Sequence, residues 1–296
     1  MKSSTVYFQV MVATMFWGAN FVLAGPVLVD LSPLWAAALR FVLGATLMLI
    51  VARWHGEKLW RAARSHAWAY LLLGAVGIAS FNLLFFYALQ ETSATNAALI
   101  MATNPLLTTL LAALVLGEQP SARHLAGIPL ALLGVTVVIT GGIWTHLLNL
   151  HMAHGDVLML GANLAWALYN VLSRKFMPKD STIVNTTLVM CAGGILLLLV
   201  ALGSGSLPAV PGPSAALALA IMTIAGTVLA YLFWNNSIAQ LGASHTALFL
   251  NFVPVFAMLV GSITGVLPTL AQLVGGALVV AGISLSMLPQ RKLIMR

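Results

Sequence analysis

Apolar residues fill this chain in successive runs of about 20, and short polar stretches separate one run from the next. An α-helix of about 20 residues spans the roughly 30 Å hydrocarbon layer of a bilayer. The pattern therefore predicts an all-α integral membrane protein with ten transmembrane helices. Their predicted limits are residues 6–28, 33–53, 67–89, 93–116, 122–141, 155–173, 181–202, 214–240, 243–265 and 268–288.

The composition of the chain agrees with the predicted helices and narrows the class of protein. Hydrophobic residues make up 61% of the 296 residues, charged residues make up only 6%, and the mean hydropathy is +1.02. A soluble domain of this size needs far more polar surface than these residues supply. The composition therefore excludes a soluble globular protein and predicts a multi-pass protein surrounded by membrane lipids.

The Lys and Arg residues are distributed unevenly between the two sides of the predicted bundle. Cytoplasmic loops of membrane proteins are enriched in Lys and Arg, and this enrichment orients the helices. With both termini in the cytoplasm, all of the 13 Lys and Arg residues except Arg40 fall on the cytoplasmic side: Lys2, Arg53, Lys58, Arg61, Arg64, Arg123, Arg174, Lys175, Lys179, Arg291, Lys292 and Arg296. The net charge of +7 is then a topology signal and a contact with anionic lipids, and we predict no nucleic-acid partner.

The second half of the chain repeats the first at an offset of 149 positions. The segment SATNAALIMATNPLL at residues 93–107 aligns with GASHTALFLNFVPVF at residues 242–256. Such internal repeats are a frequent sign of a transporter. Equivalent pairs at this offset include Ala13 and Ala162, Trp17 and Trp166, Gly77 and Gly226, and Pro105 and Pro254.

Each repeat contains five predicted helices, so the second copy must enter the membrane from the side opposite to the first. The predicted organisation is one membrane domain in which residues 1–145 form the first five-helix repeat and residues 146–296 form the second, inverted repeat. Inverted repeats allow alternating access, because exchanging the conformations of the two halves moves a central cavity from one side to the other. The organisation therefore favours a secondary transporter.

Two segments of the first half carry a family resemblance. They are FWGANFVLAGPVLVDLSPLWAAALRFVLGA at residues 16–45 and SATNAALIMATNPLLTTLLAALVLGEQPSARHLAGIPLALLGVTVV at residues 93–138. Together with the degenerate second copy, they resemble the drug/metabolite transporter superfamily, in particular its EamA-type permeases. The second half departs from the pattern, because no carboxylate follows Gly265 as Glu118 follows Gly117.

The resemblance covers nearly the whole chain and implies a function. It implies ten helices around a central cavity lined by helices 1, 3, 4, 6, 8 and 9, in the inner membrane of a bacterium. It also implies export or exchange of a small-molecule substrate. The abundant aromatic residues on those helices are compatible with amino-acid export, including the branch that exports aromatic amino acids.

Polar and aromatic side chains at membrane depth are the candidate substrate contacts, since such groups are costly in lipid and face a cavity or another helix. Aromatic faces can pack against an apolar or cationic group, while Asn, Tyr and His side chains bind its polar end. The alternative for each residue is a hydrogen bond between helices or a place at the membrane interface. The predicted substrate-binding residues are Trp17, Asn20, Tyr87, Asn96, Asn163, Trp166, Asn170, Tyr231, Trp234, His245 and Phe249.

Two further features concern helix shape and charge within the membrane. Pro105 and Pro254 each remove a backbone donor, so the fourth and ninth helices are predicted to bend there. These bends are either gating hinges or fixed kinks that shape packing. Arg40 needs a partner at membrane depth, and we predict an ion pair with Asp30, or with Glu91 as second choice; the alternative is a contact with a substrate carboxylate.

The titratable residues bear on energy coupling and on catalysis. All 6 acidic residues lie at predicted helix ends or in loops, whereas proton-driven carriers place a titratable group within the membrane. The sequence therefore favours facilitated or exchange transport, with proton antiport through His245 as the alternative. A membrane-embedded enzyme is the alternative of another class, but the isolated carboxylates form no DxxD or HExxH motif. Because His146, His151 and His154 lack a nearby cysteine, they are a weak zinc signal, and we predict no enzymatic activity, cofactor or metal.

Overall fold

The computed structural model describes residues 2–92, 94–148, 154–263, 265 and 267–287. All regular secondary structure in this part of the chain is helical, as the sequence predicts. Within the same residues, nine helices are long and apolar enough to cross a membrane. The protein is therefore an all-α, multi-pass membrane protein.

The helices follow one another with short connections. In the first half they are α1 (Lys2–Asp30), α2 (Pro33–Trp54), α3 (Leu59–Glu91), α4 (Ala94–Ala102), α5 (Asn104–Leu116) and α6 (Ala122–Thr140). In the second half they are α7 (His154–Phe176), α8 (Thr182–Gly203), α9 (Pro213–Leu241), α10 (Ala243–Leu248), α11 (Phe252–Ile263) and α12 (Leu270–Met287). The nine candidate membrane spans do not include α7, which carries Asn163 and Asn170 near its centre.

Local sequence signals set several of the helix ends. The side-chain oxygens of Ser121 and Ser181 each accept a hydrogen bond from the backbone N–H three residues further on, at 3.0 and 3.2 Å, and so begin α6 and α8. Gly117 and Gly141 follow the ends of α5 and α6 with φ angles of +68° and +64°. Glycine adopts this left-handed conformation without steric cost, so each helix stops there.

The observed helices lie close to their predicted limits, with one clear difference. The third helix was expected from residue 67, but α3 begins at Leu59. Arg61 and Arg64 lower the hydropathy of this first part, although the backbone is already helical there. His66, with φ of −132° and ψ of 27°, then separates the polar first part of α3 from its apolar remainder.

Both predicted proline bends coincide with interruptions of a helix. Thr103 separates α4 from α5, and the short 3₁₀ turn Phe249–Asn251 separates α10 from α11. Pro105 and Pro254 lie in the first turn of the following helix, where the missing N–H breaks no intrahelical hydrogen bond. The chain can therefore restart a helix at each proline. A gating role for these breaks stays a prediction.

Two π-helical turns occupy matching places in the halves, Ala75–Ser80 in α3 and Met222–Leu229 in α9. Gly77 in the first turn packs against the ring of Tyr169, and Gly226 in the second packs against the side chain of Asn20. A Cβ atom at either glycine would collide with these groups. Because Asn20 and Tyr169 are themselves 149 positions apart, equivalent positions of the halves make equivalent contacts.

Candidate substrate-binding site

Four aromatic side chains from three helices meet inside the bundle. Measured between ring centroids, Trp17 of α1 lies 5.4 Å from Trp166 of α7. Trp17 also lies 5.9 Å from Tyr231 and 4.9 Å from Trp234, both on α9. These distances are those of directly packed aromatic pairs. We call Trp17, Trp166, Tyr231 and Trp234 the aromatic cluster.

The aromatic cluster depends on both the repeat and the helical period. Trp17 and Trp166 are equivalent in the repeat, so the first helix of each half contributes one tryptophan. Tyr231 and Trp234 are three residues apart on α9 and therefore share one face of that helix. Trp166, Tyr231 and Trp234 are buried and Trp17 is half-buried. All four were predicted substrate contacts, and the structure brings them together.

Three more aromatic rings extend the aromatic cluster, and none was among the predicted site residues. Phe41 lies 5.6 Å from Tyr231, and Phe81 and Tyr169 lie 5.0 and 5.3 Å from Trp166. Phe41 and Phe81 resemble ordinary core residues in the sequence. Tyr169 could have been predicted, because it is equivalent in the repeat to Asn20, which is one of the predicted residues.

Hydrogen bonds fix the orientation of two indole rings in the aromatic cluster. Trp17 Nε1 donates to the backbone oxygen of Gly226, within the π-helical turn of α9, at 2.9 Å. Trp234 Nε1 donates to Asn170 Oδ1 at 2.9 Å. Among the described residues, the buried Asn170 Nδ2 has no hydrogen-bond partner. The predicted residue Asn170 therefore supports a ring of the cluster and retains an unused amide donor.

Arg40 of α2 lies beside the aromatic cluster. Its Nη2 donates to Asn82 Oδ1 at 3.1 Å, and its guanidinium carbon lies 4.9 Å from the centroid of the Phe41 ring. Arg40 also lines a crevice between α1, α2, α3 and α9 whose other lining side chains, such as Phe86 and Met222, are apolar. The crevice holds about 10 Å³, room for about one water molecule. An amino-acid-sized ligand needs the helices to move apart here.

The predicted ion pair of Arg40 is wrong. Asp30 instead accepts a hydrogen bond from the backbone N–H of Gly212 at 2.8 Å. Glu91 forms an ion pair with His154, with 2.6 Å between the carboxylate oxygen and Nδ1. Both carboxylates lie at helix ends, where these partners are nearer than the guanidinium of Arg40, which lies about two turns into α2.

Asn163 of α7 forms hydrogen bonds with residues on both sides of the break between α4 and α5. Its Nδ2 donates to the backbone oxygen of Ile100 and to Thr103 Oγ1, both at 2.9 Å. Its Oδ1 accepts a hydrogen bond from Asn104 Nδ2 at 2.7 Å. The oxygen and the nitrogen of this amide are thus both engaged between helices, and Asn163 lies outside the aromatic cluster.

His245 belongs to a different polar group at the ends of α5, α6 and α10. Its ring centroid lies 4.9 Å from that of the buried His124, whose Nε2 is 3.1 Å from Thr109 Oγ1. The neighbouring Ser244 donates to Glu118 Oε2 at 2.6 Å. We call His124, His245 and Glu118 the histidine group. His124 was not predicted, although a histidine within the fifth predicted helix is a usable signal.

The other predicted contacts border the aromatic cluster or lie apart from it. Asn20 packs against the π-helical turn of α9, next to the cluster. Tyr87 is 49% exposed on the outside of α3. Phe249 stacks on Tyr7, with 6.1 Å between ring centroids. Asn96 lies in α4, but its side chain is outside the described part of the structure.

A separate groove of about 590 Å³ lies where the connection between α2 and α3 meets the connection between α7 and α8. Its lining includes Lys58, Arg61, His66 and Asp180, so it carries charges of both signs. It contains none of the predicted substrate-binding residues. The aromatic cluster therefore remains the candidate site.

A bundle of apolar helices that encloses aromatic and amide side chains is the architecture of a membrane transporter. The sequence profile of the EamA-like transporter family matches residues 4–140 and again residues 153–288. The chain belongs to the EamA-like transporter family, as the resemblance in its sequence indicates.

Relatives and solved structures agree with this assignment. An uncharacterised transporter of Bacillus subtilis, YyaM, is 37% identical over 287 residues, which cover 96% of this chain and 93% of the relative. A protein of Streptantibioticus cattleyicolor, named as a probable terminal-alkyne amino-acid exporter, is 27% identical over 219 residues, covering 72% of this chain and 71% of that protein. A crystal structure with 21% sequence identity superposes with a TM-score of 0.79 over 96% of each chain, and so shows the same fold. The protein is a membrane transporter.

Proposed function

We propose that this protein exports a small metabolite, an amino acid or a related compound, across the inner membrane as a secondary transporter. Export proceeds by alternating access, in facilitated or exchange mode, between two inverted five-helix repeats with both termini in the cytoplasm. The observation that carries the proposal is the aromatic cluster, in which equivalent tryptophans from the two halves meet inside the bundle.

Several features support two inverted repeats. The family profile matches the chain twice, once in each half. Gly77 contacts Tyr169 and Gly226 contacts Asn20, so equivalent residues of the halves make equivalent contacts. In this proposal α7, the counterpart of α1, is the sixth of ten membrane crossings. An odd number of helices in each repeat then gives the halves opposite orientations.

Two features support an amino acid or a related compound as the substrate. The aromatic rings offer packing for an apolar or aromatic body, and the unused amide donor of Asn170 lies next to them. The relative from Streptantibioticus cattleyicolor carries amino-acid export in its name. Since the four residues of the aromatic cluster include no carboxylate, exchange along substrate gradients fits the site.

Proton-coupled antiport of the same kind of substrate is a second candidate, and the histidine group favours it. His124 and His245 are adjacent imidazoles within the bundle, and Glu118 is held close by through Ser244. Titratable groups in such positions serve as proton sites in many carriers. These residues lie on or next to α5, α6 and α10, and all three helices contact the 3₁₀ turn between α10 and α11, so a change in protonation can act on that break.

The proposal is tested by counterflow in proteoliposomes. Vesicles are preloaded with one unlabelled amino acid at a time, labelled substrate is added outside, and no ion gradient is imposed. Wild type is expected to accumulate label, and Trp166→Ala to lose at least about tenfold of the apparent affinity, because it removes the central ring of the aromatic cluster. Trp166→Phe is expected to retain part of the exchange.

Trp68→Ala is the matched control, because Trp68 is 56% exposed on the surface of α3. Size-exclusion chromatography establishes that each variant is folded. Counterflow in Trp166→Ala equal to that of wild type would remove the aromatic cluster from the transport path. The absence of counterflow for every amino acid, in folded wild-type protein, would contradict amino-acid export.

A further inference from the structure

Each of the chain's 6 carboxylates has a partner other than Arg40. The six pairs are Asp30 with the Gly212 backbone, Glu57 with Ser181, Glu91 with His154, Glu118 with Ser244, Asp156 with Thr92, and Asp180 with Tyr70. Among the residues that the structure describes, no carboxylate lies within ion-pairing distance of Arg40. Within that part of the chain, the guanidinium therefore has no counter-charge.

The hydrogen-bonding capacity of Arg40 is also largely unused. A guanidinium carries five N–H donors, and the hydrogen bond of Arg40 in the described structure goes to the neutral amide of Asn82. Its Nε is buried without a hydrogen-bond partner in that same part of the chain. An unpaired charge at membrane depth is costly and is typical of a functional site.

The position of Arg40 connects it to the aromatic cluster. Its guanidinium lies over Phe41, whose ring is 5.6 Å from Tyr231. Arg40 also supplies the charge in the small apolar crevice between α1, α2, α3 and α9. None of the four residues of the aromatic cluster lines this crevice, so a ligand that contacts both would reach from Arg40 past Phe41 to Tyr231.

The repeat does not duplicate this charge. At the offset of 149 positions, Arg40 corresponds to Val189 of α8, whereas the nearby Gly44 corresponds to Gly193. The alignment of the two halves therefore holds in this region, but the positive charge is present only in the first half. A single cation beside the aromatic cluster can fix the orientation of an asymmetric ligand.

We propose that Arg40 binds the carboxylate of the transported substrate, while the aromatic cluster packs against its apolar or aromatic body. The substrate class is then small monocarboxylates, including amino acids, and excludes the corresponding amines. This assignment rests on the proposed transport function. The fork of N–H donors in a guanidinium matches the two oxygens of a carboxylate, so binding is bidentate when the crevice opens.

The test compares three probes that share one ring and differ in charge: L-phenylalanine, 3-phenylpropanoate and phenethylamine. Each probe is used in counterflow and in ligand-induced thermal stabilisation of the purified protein. Wild type is expected to exchange and bind the two carboxylates and to bind phenethylamine about ten- to a hundredfold more weakly, the range for losing a hydrogen-bonded charge.

Arg40→Gln and Arg40→Met remove the charge, and Arg40→Lys keeps it without the bidentate geometry. The two neutral variants are expected to bind L-phenylalanine about ten- to a hundredfold more weakly, and Arg40→Lys to lie between them and wild type. Arg40→Met is also expected to unfold at the same or a higher temperature than wild type, because it removes an unpaired buried charge. Arg64→Gln, which removes an exposed cation from the polar first part of α3, is the matched control.

The outcomes separate this assignment from the function on which it rests. Wild type that exchanges phenethylamine as well as L-phenylalanine, or folded Arg40→Met that keeps wild-type affinity for the carboxylates, would overturn the assignment and leave transport standing. A thermal midpoint of Arg40→Met far below that of wild type, with no carboxylate preference in wild type, would make Arg40 structural. Failure of wild type to exchange any of the three probes or any other amino acid would overturn the proposed function and this assignment together.

Discussion

Two asparagines on α7 occupy different surroundings within one bundle. Asn163 forms hydrogen bonds with Ile100, Thr103 and Asn104, so both polar atoms of its amide are used in contacts between helices. Asn170 uses its oxygen to hold Trp234 and keeps a free donor beside the aromatic cluster. Residue type alone therefore does not define a substrate contact; the partners of each polar atom do.

Asn163→Ala is expected to destabilise the protein by about 2 kcal/mol, because the Ile100 backbone oxygen, Thr103 Oγ1 and Asn104 Nδ2 would each lose a hydrogen bond inside the bundle. The measurement is thermal unfolding in detergent micelles. Asn20→Ala is the control, since Asn20 makes no side-chain hydrogen bond to the described residues and packs against a glycine. Equal unfolding midpoints for the two variants would contradict a structural role for Asn163.

Part of the candidate site could be predicted at the residue scale. Trp17, Trp166, Tyr231 and Trp234 stood out because large aromatic side chains at repeat-related or same-face positions of apolar helices form a recognisable pattern. Phe41 could not be separated from ordinary core residues. Tyr87 was predicted alongside the others and lies on the outside of α3, since the sequence does not reveal how each helix is rotated about its axis.

The interrupted helices depend both on their local sequence and on contacts with other helices. Pro105 allows α5 to start anew, and Asn163 of α7 satisfies backbone and side-chain groups at the gap. Pro254 has the same place at the start of α11, with a 3₁₀ turn before it. Each break is a point where an element can bend while its two parts stay intact.

Pro105→Ala is expected to slow exchange by several-fold while leaving the affinity for substrate within about twofold of wild type. The physical reason is that alanine supplies the missing N–H and stiffens the break, whereas Pro105 is not one of the residues of the aromatic cluster. Initial rates of counterflow and ligand-induced thermal shifts measure the two effects separately. Pro129→Ala, a proline inside the continuous helix α6, is the control. A rate for Pro105→Ala equal to that of wild type would make the break a fixed kink.

The elements themselves were predictable to different degrees. Hydropathy located the apolar helices, but it set the start of the third helix too late, because Arg61 and Arg64 lie on a polar first part of α3. The π-helical turns of α3 and α9 were not predicted. Gly77 and Gly226 allow a side chain from the opposite half to approach at these turns, and such approaches depend on tertiary packing.

At the scale of the whole molecule, the aromatic cluster and the histidine group are separate. The aromatic cluster joins α1, α7 and α9, whereas the histidine group joins α5, α6 and α10. The proposed substrate site and the candidate proton site therefore lie on different helices. Alternating access would couple them through the break between α10 and α11, which adjoins His245.

His245→Gln distinguishes exchange from proton antiport. In exchange mode, an imposed pH gradient is expected to change neither the rate of wild type nor that of the variant by more than about twofold, since neither binds a proton as part of transport. The measurement is uptake into proteoliposomes with and without a pH gradient, and His55→Gln, outside the membrane spans, is the control. Uptake that follows the gradient in wild type but not in His245→Gln would favour antiport instead.

The sequence by itself determined that this is an all-helical membrane protein of the EamA-like transporter family with an internal repeat. Hydropathy, helix caps and repeat register act through neighbouring residues, or through residues at a fixed spacing, so they can be read along the chain. The tertiary structure decided which polar atoms form hydrogen bonds between helices and which aromatic rings pack together. It also decided that Arg40 does not pair with either carboxylate predicted for it. These contacts join residues far apart in the chain, and they depend on the rotation and crossing of whole helices, which hydropathy does not specify.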